Sequence, residues 1–419
     1  MFLTFVTDNY IIDPLGIAYL SSYLKQAGHK VDIIKTDLVE LPSADTDILC
    51  YSVTTGKHRK FQRLNMEIKG NRFSLFGGPH CTFSPQFACE PGVDAIVMGE
   101  GYDAIVDIAN ALKNGDRVLD SMPNVATCVS QSELRPLKDK DSLLLPDRGL
   151  IYKYEENYNN PIKNVMCSFG CLFSCPYCYS KKYRQLYDLT GVELRSVESV
   201  IDEIDQLCKY PLKLIYFQDD IFPIWNNKWL DEFCNNVPHI PFHIQIRIEM
   251  LTEDRLLQLK EAGLHSLTFA IECGNETYRW NMLKRNVSNE TILEKAELLH
   301  KYNIKFRTEN MLGLPYESWD SMMETVKLNQ QVNPTYAWAS IFHAYPGTDF
   351  GNEIMVAEDF FHKANTPIVD NLQKIFALAV KFNLSDKDVK LLMDCDSLQI
   401  IHDIVKNYGY RELYGCSYH

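Results

Sequence analysis

Long apolar runs are missing from this sequence. No stretch approaches the ~18 consecutive apolar residues that a membrane-crossing helix needs, so no membrane partner is expected. A basic surplus is missing too: 42 Lys and Arg stand against 55 Asp and Glu, a formal net charge of −13. Phosphate backbones are gripped by clustered Lys and Arg, so no nucleic-acid partner is expected. The short basic run Lys57-His58-Arg59-Lys60 reads as a solvated face. Residues Met1 to Asp8 show no basic lead and no small-residue cleavage site, and no internal repeat or low-complexity tract occurs. The 13 cysteines lack the spacing of an extracellular disulfide framework, which suits a reducing compartment, so the expected location is cytoplasmic.

At 419 residues, with 46% hydrophobic and 23% charged residues, the chain can build two or three packed domains. Its first part alternates strand and helix patterns. Apolar runs at residues 2–6, 30–35, 47–53, 72–76 and 95–98 read as buried parallel strands. Pro14-Leu15-Gly16 opens an amphipathic helix that Gly28 closes, and another helical pattern runs from Asp103 to Lys113. The fold class is therefore α/β, with a doubly wound parallel sheet over residues 1–125 and its ligand beyond the strand carboxyl ends. Gly77-Gly78-Pro79-His80 and Gly99-Glu100-Gly101 fall at two of those ends. Each reads as a tight turn or as backbone that lets a ligand approach closely.

Residues 126–160 read as a connector. A second run of βα units follows, with strands near residues 163–166, 213–217, 242–247, 266–272, 305–311 and 337–342. Six units predict a partial (β/α)6 barrel over residues 161–348, with its site at the strand carboxyl ends. Residues 349–419 look mostly helical and carry no motif.

The chemistry is concentrated in the loop from Cys167 to Cys178, where Cys171, Cys175 and Cys178 follow a C-x3-C-x2-C spacing. Three thiolates this close can ligate three irons of a cubane cluster and leave the fourth iron open to an outside ligand. The alternatives are a structural zinc site or three buried thiols. Zinc asks for a fourth ligand, and no second C-x2-C or His pair exists. Cys167 makes a further x3 step with Cys171, but only the later triplet continues with x2, so Cys167 reads as a buried thiol at a strand end.

This loop resembles that of the radical S-adenosylmethionine (SAM) enzymes. The resemblance implies a 4Fe-4S cluster whose open iron binds SAM and splits it to a 5′-deoxyadenosyl radical. It places Tyr177 against the adenine, Asp219 and Asp220 at an acidic strand end near SAM, and Glu272 on a polar group of SAM. Arg247 matches the residue that pairs with the SAM carboxylate, a role its planar fork suits. The ordinary alternative for Arg247 is an ion pair with Glu249 or Glu272. No side chain is singled out as a catalytic acid or base.

Taken with this loop, Pro14, Leu15, Gly16, Gly77, Gly78, Pro79, His80, Gly99 and Glu100 resemble the cobalamin-binding domain at the front of the cobalamin-dependent members of that family. Gly313-Leu314-Pro315 and Tyr345-Pro346-Gly347-Thr348 resemble two further loops of the same group. The D-x-H-x-x-G motif that supplies a cobalt-binding histidine elsewhere does not occur. His80 is therefore expected to touch the nucleotide tail of the cofactor rather than cobalt.

The implied activity is methyl transfer from methylcobalamin to an unactivated carbon or phosphorus of a small-molecule or peptide substrate. The implied electron donor is a protein such as flavodoxin or ferredoxin. Two other readings stand beside it: radical cyclisation or rearrangement without methyl transfer, and a non-catalytic corrinoid or cluster carrier. A methylthiotransferase would carry extra cluster cysteines near its N-terminus and a basic RNA-binding tail, whereas Cys50, Cys81 and Cys89 are widely spaced.

Overall fold

The computed structural model describes residues 1–38, 40–354 and 366–415, which form two compact units divided after Asn159. The first begins β1 (Phe2–Thr7), α1 (Leu15–Gln26), β2 (Lys30–Lys35), β3 (Ile48–Ser52) and α2 (His58–Ile68). It continues with β4 (Phe73–Gly77), α3 (Pro79–Phe83), β5 (Ala95–Val97), α4 (Tyr102–Lys113) and β6 (Val125–Ala126). The sheet order is β2-β1-β3-β4-β5-β6, parallel except for the last pair. This is the doubly wound sheet that the alternation predicts. The antiparallel edge β6 escapes a sequence reading because two residues carry no period.

The strands of this sheet bury side chains of both faces, among them Leu3, Phe5, Ile33, Leu49, Phe76 and Ile96, as a sheet covered by helices on both sides must. The order reverses at β1 and β3, so the crevice for a ligand opens beyond Thr7 and Ser52. Residues 126–159 fold onto this same unit through α5 (Arg148–Ile151) and α6 (Glu155–Asn159). Arg148 and the Tyr152 hydroxyl both reach Asp13 Oδ2, at 2.9 and 2.6 Å, and all three residues are buried. Lys35, fully buried at the end of β2, donates to Asn9 at 2.9 Å and to Glu156 at 2.6 Å. An interior ammonium without such partners would be costly.

The second unit opens with β7 (Ile162–Val165), β8 (Ser168–Phe169), α7 (Ser180–Leu186), β9 (Glu193–Leu194) and α8 (Val197–Leu207). Next come β10 (Leu214–Phe217), α9 (Asn227–Asn236), β11 (Phe242–Ile246), α10 (Glu253–Glu261) and β12 (Leu264–Glu272). Then follow α11 (Glu276–Asn281), α12 (Asn289–Lys301), β13 (Lys305–Leu312), α13 (Trp319–Val332) and β14 (Tyr336–Ile341). Six strands pair in parallel in the order β14-β13-β12-β11-β10-β7, an open half-barrel, and β8 pairs with β9 as a small ribbon at the cysteine loop. Helix starts are set by side-chain caps: Ser196, Asn226, Thr252, Ser288 and Ser318 each accept an N–H of the first turn.

The C-terminal region forms α14 (Asp349–Ile354), α15 (Pro367–Lys381), α16 (Asp386–Met393) and α17 (Leu398–Tyr414). Leu372, Ile375, Phe376 and Ala379 of α15 pack in one core with Ala337 and Ala339 of β14. The last helix runs well past residue 405, where its apolar pattern fades. Gly409 does not end it, because the missing side chain admits the Tyr336 ring, which would lie 2.2 Å from a Cβ there. Leu413 and Tyr414 pack with Ile162, Leu214 and Tyr216, so α17 covers the amino end of the half-barrel. The carboxyl end is left for a site. No helix among the described residues is long and apolar enough to cross a membrane.

Candidate active site

At the carboxyl end of the half-barrel lies a cavity of about 180 Å³. Cys171, Cys175 and Cys178 line it from one side, with Tyr177 and Ser180. Asp220, Arg247 and Glu272 face it from the strand ends, Glu309 faces it from within β13, and Thr268 and Gln245 also line it. Of the barrel residues expected at the site, Asp219 alone is not among its walls.

Asp219 and Asp220 stand two and three residues past β10 and point to opposite sides, as neighbours in extended chain do. Asp219 is fully buried, accepts the backbone N–H of Cys167 at 3.1 Å and takes a hydrogen bond from the Ser168 hydroxyl. Burial pushes its carboxyl up to about 7, against those hydrogen bonds. It anchors the start of the cysteine loop from beneath. Asp220 opens to the cavity and accepts from Ser180 Oγ at 2.9 Å, while the same hydroxyl lies 3.3 Å from Cys178 Sγ. Crowding by protein raises the Asp220 carboxyl, and its hydroxyl donors partly offset this.

Arg247 stands one residue past β11. Its Nε donates to Glu249 at 2.8 Å, its guanidinium lies 4.0 Å from the Phe173 ring centroid, and one terminal nitrogen is 3.8 Å from Cys175 Sγ. The ordinary alternative, the ion pair with Glu249, is thus present while the fork still borders the cavity. Glu272 ends β12 with φ at +65°, where the register to β13 shifts. A non-glycine residue held there marks strain kept by its surroundings. The Glu272 carboxylate accepts the Tyr177 hydroxyl at 2.9 Å and lies 3.7 Å from Arg285. Burial raises its carboxyl and Arg285 works against that rise.

Arg285 and Glu309 were missed by sequence reasoning. Arg285 comes from the loop after α11, donates to the Ala270 carbonyl at 2.6 Å, and has a buried Nε with no partner. Nothing in Leu283-Lys284-Arg285 sets it apart from a solvated basic pair. Glu309 carried a readable signal: it is an acid inside an otherwise barrel-forming strand, and it pairs with Arg307. Cys167 is fully buried one turn of chain before the triplet, and burial holds its thiol well above the usual range.

In the first unit the expected residues scatter more. Gly16, on the first turn of α1, has nothing within 4 Å of a Cβ position. Pro14 precedes that turn and Leu15 is buried beneath it. Gly77 ends β4, and Gly78 (φ +93°) and Pro79 start α3 rather than a free turn. A Cβ on Gly78 would sit 2.9 Å from the backbone N and O of Val53, so the missing side chain there serves protein packing. His80 is buried, with Nδ1 2.9 Å from Thr55 Oγ1 and its ring stacked on His58 at 3.8 Å. Gly99 donates its N–H to Thr82 Oγ1 at 2.9 Å. Glu100 accepts the Lys138 N–H at 3.0 Å and pairs with buried Lys140, both in the stretch that follows β6.

Family comparisons divide the chain at the same place. Residues 3–109 match the B12 binding domain, and residues 165–328 match the Radical SAM superfamily. The chain joins a B12-binding domain to a radical SAM domain.

An uncharacterized methyltransferase of Pyrococcus horikoshii is 26% identical over 364 residues, 80% of this chain and 77% of its own. The anaerobic magnesium-protoporphyrin IX monomethyl ester cyclase of Rubrivivax gelatinosus is 25% identical over 375 residues, 81% of this chain and 66% of its own. The structure of the radical SAM methyltransferase TsrM from Kitasatospora setae, with tryptophan substrate and a SAM analogue bound, superposes with a TM-score of 0.70 at 15% identity. That likeness covers 84% of this chain and 75% of TsrM, and it speaks for the fold.

The enzyme's cofactors are a 4Fe-4S cluster, SAM and cobalamin. The side chains lining the cavity suit the chemistry of the first two. Three thiols share it with an unpartnered arginine Nε and three carboxylates, a donor set for iron and for a zwitterion. Among the described residues no three His, Cys, Asp or Glu side chains gather to hold one metal ion, so the thiols border the cavity without closing on a single point. For cobalamin, Gly16 is exposed and unobstructed on the first turn after β1, whereas Gly78 and His80 are already packed against protein.

Proposed function

We propose that this enzyme is a methyltransferase acting on an unactivated carbon or phosphorus centre. The observation that carries the reading is the convergence of Cys171, Cys175, Cys178, Arg247 and Glu272 on one cavity, in a chain that also has a B12-binding unit. When bound, the cluster and SAM supply a 5′-deoxyadenosyl radical, and cobalamin supplies a methyl group.

The chain's own part is to hold and exclude. Cys171, Cys175 and Cys178 are the proposed iron ligands. Burial raises the thiols of Cys171 and Cys178, a cost that coordination to a cation repays. Arg247 faces the cavity with a fork suited to the SAM carboxylate, and Glu272 and Asp220 offer acceptors for its ammonium or ribose. Tyr177, clamped to Glu272, fixes the third-cysteine turn and presents its ring where an adenine can lie. In the first unit Gly16 and the β1/β3 crevice are the proposed corrinoid edge. Reduction requires a one-electron donor, for which a flavodoxin or ferredoxin is proposed, and the substrate is a small molecule or peptide.

The cyclase among the relatives favours a second reading, radical chemistry without net methyl transfer. SAM labelled in its methyl group separates the two after anaerobic reconstitution with hydroxocobalamin. Label reaching a product supports methyl transfer. Formation of 5′-deoxyadenosine with no labelled product rejects it in favour of the cyclase-like reading. Ala at Cys171, Cys175 or Cys178 should abolish the brown chromophore and SAM cleavage, while Cys167→Ala should keep both.

A further inference from the structure

A second cavity, of about 410 Å³, lies beyond Tyr177, whose ring is a wall of both. That size is within the range of about 300–1,000 Å³ for small-molecule sites. Its walls come mainly from the end of β14 and the loop after it: Trp338, Phe342, His343 and Tyr345, with Met311 of β13. The remaining polar groups are the Ser340 hydroxyl and the Gln373 amide. Among the described residues no Lys, Arg, Asp or Glu lines it. The neighbouring cavity, in contrast, has Asp220, Arg247, Glu272, Arg285 and Glu309.

We infer that this second cavity receives the substrate, and that the part of the substrate lodged there is an uncharged aromatic ring. The inference rests on the reading of the neighbouring cavity as the source of the radical. A charged group would meet no counter-ion among the described residues of its walls, at a desolvation cost that none of them returns. An aromatic ring meets faces and edges of five aromatic or imidazole side chains, the arrangement that such rings favour. His343 and Tyr345 stand 6.5 Å apart at 67°. Burial lowers the His343 pKa and keeps the imidazole neutral, so it orients a ligand by hydrogen bonding rather than by charge.

The position of this wall is tied to the cysteine loop. Phe350 donates its backbone N–H to the Pro176 carbonyl at 3.1 Å, and Lys181 pairs with Asp349 at 2.7 Å. Thr348 folds back on Tyr345 through a 2.7 Å hydrogen bond. The segment that presents Tyr345 therefore keeps register with the turn that presents Tyr177. A ring against Tyr177 then lies next to the cofactor cavity, where radical transfer needs it.

Three neutral or charged probes test this on the anaerobically reconstituted full chain: indole, cyclohexanol and benzamidine, followed by saturation-transfer NMR. Indole should bind, with cyclohexanol and benzamidine clearly weaker. Tyr345→Ala, at a residue 41% exposed, leaves the core intact. It should weaken indole binding by about fivefold, the scale of one lost aromatic pair. Ser340→Trp, which fills the space from an exposed position, should abolish it. Equal binding of the three probes, preference for benzamidine, or indifference to both substitutions overturns the inference. SAM cleavage is assayed on the same samples. Cleavage without indole binding sinks the pocket alone, and indole binding without cleavage upholds the pocket while sinking the proposed chemistry.

Discussion

Asp219 accepts the backbone N–H of Cys167 through both carboxylate oxygens, at 3.1 and 3.3 Å. The bond fixes the chain four residues before the first cysteine of the triplet. Arg195 braces the same junction, donating to the Met166 carbonyl at 2.9 Å while paired with buried Glu203. Loss of the Asp219 carboxylate strands a buried N–H and a hydroxyl, a cost of about 1–3 kcal/mol concentrated on this loop. Asp219→Ala should therefore lower iron content after anaerobic reconstitution, and Asp219→Asn, which keeps one acceptor, should retain more. Equal iron in wild type and both variants would show that the loop does not depend on this anchor.

The Tyr177–Glu272–Arg285 group makes a graded prediction for SAM affinity. Tyr177→Phe removes one hydrogen bond worth about 1 kcal/mol and should raise the SAM Kd by about fivefold with the cluster intact. Glu272→Gln leaves buried Arg285 without its carboxylate neighbour, and unpaired buried charge costs more, about 3–5 kcal/mol. Its SAM Kd should rise further, with iron content again near wild type. Equilibrium dialysis of SAM beside iron analysis checks both. A Tyr177→Phe protein that binds SAM as wild type does would show that the hydroxyl bond to Glu272 does not support the SAM site.

These residues also show what a sequence can disclose. The strands, the half-barrel and the cysteine loop were legible because short apolar runs and a three-thiol spacing are local signals. Arg285 was not, because its importance comes from a loop that folds back over the mouth, a long-range event with no local pattern. Asp219 and Asp220 were legible as a pair but not as individuals: only the direction of each side chain past β10 separates an anchor from a cavity wall. Gly78 misled for a similar reason. A glycine spared for a ligand and one spared for a neighbouring strand look alike until Val53 is placed beside it.

His80 gives a pH prediction. Burial lowers its pKa to about 3, with His58 and Arg59 adding to the effect. In the unfolded chain the imidazole titrates near 6.5, so between these values only the unfolded state binds the proton. Stability is unaffected above about pH 6.5 and falls as pH drops below it, by at most about 1.4 kcal/mol per pH unit from this group. Hydrogen exchange of the Pro79–Phe83 helix should accelerate from pH 7.5 to pH 5.0, after correction for intrinsic rates, more in wild type than in His80→Phe. The variant keeps a ring to stack on His58 and cannot titrate. Parallel behaviour of the two proteins would assign the pH response to other groups.

Two glycines separate packing from cofactor binding in the first unit. A side chain on Gly78 collides with Val53 backbone at 2.9 Å and sits at φ +93°. Even Gly78→Ala should therefore destabilise the unit, by roughly 1–3 kcal/mol for the backbone strain alone. Gly16 differs: it is exposed on α1, and a Cβ there meets nothing within 4 Å. Gly16→Leu should fold with wild-type stability, since glycine within a helix is the poorer helix former by about 1 kcal/mol. If the open space at Gly16 belongs to the corrinoid, the leucine occupies it. Hydroxocobalamin retained after gel filtration should then fall while iron content holds. Gly16→Leu protein that retains full cobalamin would place the cofactor away from this edge of the sheet. Gly78→Ala protein that is as stable as wild type would mean that Val53 can yield, and that Gly78 is again free to serve a ligand.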